Sequence, residues 1–150
     1  MEQAIALAIE NVRAGGGGPF AALVVRGESI VASGTNRVTA SLDPTAHAEI
    51  VAIRAACAVL GNFELRDCGL YTTCEPCPMC MGAVYWARLA KVYYASTRDD
   101  AARIGFDDSL IYDQLALGPG DRKIPMVQTM RDEALEAFRE WERSPIKKPY

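Results

Sequence analysis

Cys77 and Cys80 stand three positions apart, with Pro78 directly after the first of them. Proline has no N–H to lose at a first helical position, and its fixed φ suits that position. The spacing therefore predicts Cys77 at the mouth of a helix and Cys80 one turn inside. Both sulfurs then lie near the positive end of the helix dipole, where thiolates, the metal-binding form, are favoured. The only histidine, His47, lies thirty positions upstream of Cys77 and follows Asp43-Pro44, a second helix-start signal. One imidazole and two thiolates make the three protein ligands of a catalytic zinc site, which keeps a fourth position for water. Zinc is the metal that this ligand set suits, one ion per subunit. Glu49, two residues after His47, is too close in sequence to be an ordinary fourth ligand. It can reach the water, whose pKa the metal lowers toward neutrality, and can take and pass on its proton.

Other readings of the same residues fit less well. With the single histidine used as a ligand, Ser–His or Cys–His nucleophilic catalysis lacks its base. A structural zinc site would want a fourth ligand, and Cys74 is the candidate, but Glu49 would then have no task. Cys57 and Cys68 suit buried, inert positions.

These residues must be held by a frame. Residues 2–14 place Ile5, Ala8, Ile9 and Val12 on one helical face. The glycine run 15–18 ends that helix; without the Walker lysine and hydroxyl residue it is no phosphate cradle, and it reads as a flexible connector. Residues 20–25 form a continuous apolar strand, Gly27-Glu28 a turn and 29–33 a returning strand, with Asn36 just beyond it. Asp43 is expected to cap a helix over about 45–60, with Ile50, Ile53, Cys57 and Leu60 as its apolar stripe. A strand over 70–73 leads into the cysteine stretch, and a helix follows over 78–88 with Met81, Val84 and Tyr85 available for packing. Residues 91–96 are rich in strand formers, 98–104 suit a short helix, and 127–130 a last strand. Residues 131–143 form an amphipathic helix with Leu135, Phe138 and Trp141 inward. This order predicts one α/β domain over 1–150, a three-layer α/β/α sandwich around a mixed sheet of about five strands.

Composition narrows the classes. Half the residues are hydrophobic and 23% charged, an ordinary soluble balance. No apolar run approaches the ~20 residues that a membrane span needs, and Met1-Glu2-Gln3-Ala4 lacks the basic start of a signal peptide. A cytoplasmic protein without a membrane partner is the expectation. Five cysteines in such a chain point to metal or thiol chemistry rather than to a disulfide frame. The net charge of −3 weighs against a nucleic-acid partner.

Residues 43–49 (Asp-Pro-Thr-Ala-His-Ala-Glu) and 73–80 (Thr-Cys-Glu-Pro-Cys-Pro-Met-Cys) resemble the cytidine deaminase superfamily of zinc-dependent nucleobase deaminases. Gly17-Gly18-Pro19-Phe20, Tyr85-Trp86-Ala87-Arg88, residues 105–109 and Lys147-Lys148-Pro149-Tyr150 are similar to its bacterial guanine deaminase branch in particular. One departure is Ala21, where the branch leads us to expect glycine. The resemblance implies a cytidine-deaminase-like fold and a pocket for a flat purine. In that pocket Asn36 would hydrogen-bond the ring, Phe20 and Trp86 would wall it, and the Ala48 N–H would meet the carbonyl. Asp108 would accept the N1–H and 2-amino donors in bidentate fashion and shuttle protons. Tyr150 would close the site, in a homodimer that exchanges a segment of about 131–150. Without the resemblance, Asp107-Asp108 reads as a solvated loop pair, Tyr150 as a frayed terminus, and Trp86 and Trp141 as core aromatics.

The implied activity is zinc-dependent hydrolytic deamination of guanine to xanthine and ammonia. Guanosine or another nucleobase or nucleoside is the nearest alternative substrate. A tRNA adenosine deaminase would share both zinc motifs but would need a basic last helix, and in 131–143 the acids outnumber the arginines. A non-catalytic zinc-stabilised interaction module would leave Glu49 without purpose.

Overall fold

Strands β1 (Ala21–Arg26), β2 (Ser29–Thr35), β3 (Cys68–Cys74) and β4 (Lys91–Ser96) form one sheet in the order β2-β1-β3-β4, in a computed structural model that describes residues 1–150. β1 and β2 are the expected hairpin. β3 runs antiparallel to β1 and parallel to β4. A parallel neighbour needs a crossover, and helix α4 (Pro78–Trp86) supplies it. The side-chain period of two sends Ala22 and Val24 to one face and Ala21 and Leu23 to the other, all of them buried. Helix α3 (Ala48–Leu60) and α4 cover the first face, packing Ala52, Ile53 and Val84 against Val24 and Leu70. Helix α1 (Glu2–Arg13) covers the second with its buried Ala4 and Ala8. This is the expected mixed α/β layering, built on four strands instead of about five.

Several boundaries differ from expectation. α3 starts at Ala48 with His47 as its N-cap, not at 45. The Asp43 carboxylate is occupied earlier, accepting from the Thr45 N–H at 2.8 Å and hydroxyl at 2.7 Å, the Asx-turn that competes with helix capping. A one-turn helix α2 (Val38–Ser41) precedes it, unforeseen. On α4 the inward positions are Cys80, Val84 and the following Ala87, spaced four and three. Tyr85 and Trp86 fall outside that stripe and are exposed. On α1, Ile5, Ile9 and Val12 are half exposed; they line an open apolar groove of about 530 Å³ with Phe20, Cys74 and Ile104. Helix α5 (Arg98–Arg103) follows β4 as expected and opens with a capping box between Thr97 and Asp100.

The chain divides into two compact units, 1–108 and 109–150. The second contains α6 (Ser109–Ala116), a 3-10 turn (Pro119–Asp121) and α7 (Arg131–Arg143), and no strand. Residues 127–130 do not form the expected strand: Met130 is in left-handed conformation, and a strand needs a neighbour to hold its ladder, which this unit does not offer. α7 forms over the expected residues, tied along its polar face by Glu136–Arg139 at 2.7 Å and Glu140–Arg143 at 2.9 Å. Its apolar face is not inward: Phe138 is 67% and Trp141 48% exposed. No helix of the chain is long and apolar enough to cross a membrane.

The closest packing in the first unit is at Gly34 of β2. A Cβ there would lie 2.4 Å from the Ala48 carbonyl oxygen and 2.5 Å from the Ala52 nitrogen. The backbone of α3 therefore rests directly on the strand, and glycine is required for lack of space. Gly34→Ala is expected to lift the first turn of α3 and cost about 1–3 kcal/mol. It should also weaken zinc binding, since His47 lies at that helix start. The urea midpoint and a zinc titration check this; an unchanged pair of values would show that α3 does not need the contact.

Candidate active site

His47 and Cys77 are the N-caps of α3 and α4, both in extended backbone conformation, and Pro78 is the first residue of α4. Cys80 is fully buried one turn in. Nδ1 of His47 lies 3.6 Å from the Cys77 sulfur and 3.6 Å from the Cys80 sulfur. All three ligand atoms fall within 4.8 Å of one another. Zn–S bonds of ~2.3 Å and Zn–N bonds of ~2.0–2.1 Å at a tetrahedral angle require N···S separations of about 3.6 Å. The residues thus fit a zinc ion in distance as well as in donor type. Cys74 is not in the group: its thiol points to the Thr97 carbonyl at 3.5 Å, and burial pushes it up to about 11. Cys68 is buried and Cys57 half-buried, and burial raises both thiols.

The electrostatics favour the ligand forms. The hydrogen bond from Cys80, with His47 adding to it, holds the Cys77 thiol down to about 4. Cys80, as donor to that thiolate and buried, is pushed up. A cation between the two sulfurs would favour the thiolate form of both. His47 is raised by its hydrogen bond to Cys77.

Glu49 occupies the first turn of α3 and is 6% exposed. Burial raises its pKa, and its Oε1 accepts from the Thr72 hydroxyl at 3.3 Å. Thr72, on the α3-facing side of β3 and fully buried, is a site residue that sequence reasoning missed. The available signal was a hydroxyl two positions after Leu70 on the buried face of a strand. Ala48 is fully buried at the first position of α3, where a backbone N–H has no helical partner.

Asn36 follows β2 and is buried, and its Oδ1 accepts from the N–H groups of Gly18 at 3.3 Å and Val38 at 3.4 Å. It sits beside the His47 turn, because the next N–H, of Arg37, bonds to the Ala46 carbonyl at 2.9 Å. Asp108 ends the first unit. Burial raises its pKa, with the negative Cys77 adding to it, so the two groups share one electrostatic neighbourhood. Phe20 packs edge-on against Phe106 with ring centroids 4.9 Å apart. Trp86 lies on the outer side of α4, 64% exposed, and Tyr150 belongs to the second unit.

Residues 1–96 match the cytidine and deoxycytidylate deaminase zinc-binding region. The chain belongs to that deaminase family. Among the relatives of this deaminase, the guanine deaminase of Bacillus subtilis is 52% identical over 150 residues, covering 100% of this chain and 96% of the relative. An X-ray structure of guanine deaminase from Bacillus subtilis superposes with a TM-score of 0.97, covering 99% of this chain and 95% of that one. The solved guanine deaminase from Nitrosomonas europaea is 35% identical, with a TM-score of 0.68 and coverage of 91% of this chain and 69% of that one.

In this deaminase the zinc is bound by the folded chain, whose ligands come from two helices, so its removal must also cost stability. Dialysis against a chelator is expected to lower the melting temperature by several degrees, with recovery on adding zinc. Cys80→Ser should leave well under one zinc per chain. Full zinc retention by that variant, measured by atomic absorption, would remove Cys80 from the ligand set.

Proposed function

We propose that the chain catalyses the zinc-dependent hydrolytic deamination of guanine to xanthine and ammonia. The observation that carries this is the extent of the Bacillus subtilis match. The family's zinc region accounts for residues 1–96 and would suit any nucleobase deaminase, whereas the 52% identity to guanine deaminase runs through all 150 residues. Asp108 and the C-terminal segment, on which the choice of base rests in this reading, lie in the added part.

His47, Cys77 and Cys80 would hold the zinc, which would make a water at the site acidic enough to lose a proton near neutral pH. Glu49, anchored through Oε1 by Thr72, uses its carboxylate to take that proton and deliver it to N3 of guanine as the C2–O bond forms. It then moves the second water proton to the 2-amino group; the C2–N bond breaks, ammonia leaves, and the C2 oxygen becomes the xanthine carbonyl. Asp108 accepts the N1–H and 2-amino donors and passes protons at the departing amine. The Ala48 N–H meets the carbonyl, Asn36 donates to the ring, and Phe20 and Trp86 wall the base. Thiolate ligands need a reducing compartment, which supports the cytoplasm as the place of the reaction.

The working unit in this reading is a homodimer in which 1–150 makes one deaminase domain and a segment of about 131–150 is exchanged between subunits, bringing Tyr150 to the site. Supporting it, apolar side chains stand open in the single chain on both units: Ile5, Ile9 and Ile104 on the first, Phe138 and Trp141 on the second. Such surfaces normally mark an interface.

Two measurements test the reading. Zinc-loaded protein should release ammonia from guanine, and Glu49→Gln should keep its zinc and lose about 10²–10⁴-fold in kcat. Silence toward guanine with full zinc rejects the substrate, and an active Glu49→Gln rejects the proton carrier. Sedimentation should give a dimer, and deleting Pro149-Tyr150 should raise KM or lower kcat. An active monomer, or a truncated chain with unchanged kinetics, rejects the exchanged arm.

A further inference from the structure

The glycine run 15–18 is not a flexible connector. Gly17 has φ +150°, and a Cβ there would lie 2.4 Å from the Asn36 carbonyl oxygen and 3.0 Å from its Oδ1. Gly17 is thus pressed against Asn36, and only glycine has room there. On the helix side, Asn11 of α1 donates through Nδ2 to two carbonyls, that of Gly18 at 3.1 Å and that of Asn36 at 3.0 Å. The Asn11 carbonyl in turn accepts from the Gly16 N–H at 2.8 Å. Asn11 therefore holds the glycine run and the Asn36 turn together, Gly18 and Asn36 being eighteen residues apart in sequence.

The chemistry of these contacts decides which way both amides point. A side-chain amide that faces two carbonyls must present its N–H₂, and one that faces two backbone N–H groups must present its oxygen. Asn11 is the first case. Asn36 is the second, since its Oδ1 receives both Gly18 N–H and Val38 N–H. Flipping Asn36 would set its N–H₂ against two donors. Its Nδ2 makes no hydrogen bond within the chain and is not sealed from solvent. Asn36 is thus an amide with its acceptor half spent and its donor half available.

We propose that Asn11 and Gly17 are positioning residues that lock Asn36 as a donor, so that the site reads a hydrogen-bond acceptor on the purine edge facing it. This inference rests on the reading that Asn36 contacts the purine. It gives the sequence 15–18 a task in substrate binding and none in proton transfer.

The split between binding and chemistry is what the test uses. Asn11→Leu removes the Nδ2 donor at similar size. It is expected to raise KM for guanine about tenfold, as for loss of a buried hydrogen-bond donor, with kcat within about threefold and zinc content unchanged. Gly17→Ala approaches from the opposite side and should do the same. Asn36→Ala should raise KM at least as much, and the double variant Asn11→Leu/Asn36→Ala should be no worse than Asn36→Ala alone. Additive losses in the double variant, loss of zinc, or an unchanged KM in both Asn11→Leu and Gly17→Ala would overturn the lock. A normal KM in Asn36→Ala would overturn it together with the contact of Asn36 to the purine, while wild-type protein inert toward guanine would overturn the substrate itself.

Discussion

A metal site of this kind asks two helix starts, thirty residues apart in sequence, to deliver three atoms to within a few tenths of an ångström of tetrahedral positions. Everything in the first unit can be read as meeting that demand. The α4 start is set by Pro78 and by its run-in from β3, which is held between β1 and β4. The α3 start is set by the contact of its backbone with Gly34 and by the Asp43 turn that ends just before His47. The two starts meet over one sheet, so neither helix can shift along its axis without moving a ligand.

The same positioning serves the carboxylate. An isolated buried glutamate costs free energy that it recovers only through partners. Glu49 has the Thr72 hydroxyl, the positive end of its own helix and, once loaded, the charge of the metal. Thr72 stands on the strand that runs on toward the cysteine pair. One strand thus steadies Glu49, the proposed proton carrier, and leads into the helix that bears Cys77 and Cys80, which ties the orientation of that carboxylate to the position of the candidate metal site.

What was legible in the sequence follows from how local each constraint is. Coordination chemistry restricts residue type, and helix geometry restricts spacing, so the grouping of His47, Cys77 and Cys80 could be read directly, and the structure brings their ligand atoms together. The β1–β2 hairpin and the 131–143 helix were equally local and formed as expected. Asn11 could not be found that way, because its role comes from two carbonyls that are distant in sequence. The role of Gly17 is hidden for the same reason: its crowding by Asn36 is a tertiary fact. Residues 127–130 have strand composition but no strand beside them, and propensity alone makes no ladder. The apolar face of α7 was legible as a face, while what covers it is not written in its own periodicity.

Chemistry and selection are carried by different kinds of constraint. The proposed zinc ligands and Glu49 answer to a geometry that is nearly independent of which base is deaminated, and all of them fall within residues 1–96. The groups proposed to face the purine answer to something else, the pattern of donors and acceptors on its edge. Asn36 lies inside the shared region, yet its meaning depends on which half of its amide is exposed, and that is decided by backbone N–H groups and the Asn11 clamp instead of by the metal. Asp108 and Tyr150 lie beyond it, where no coordination requirement reaches. A chain built this way can keep its hydrolytic machinery fixed while the reading of the base is reset by a few side chains outside the metal shell.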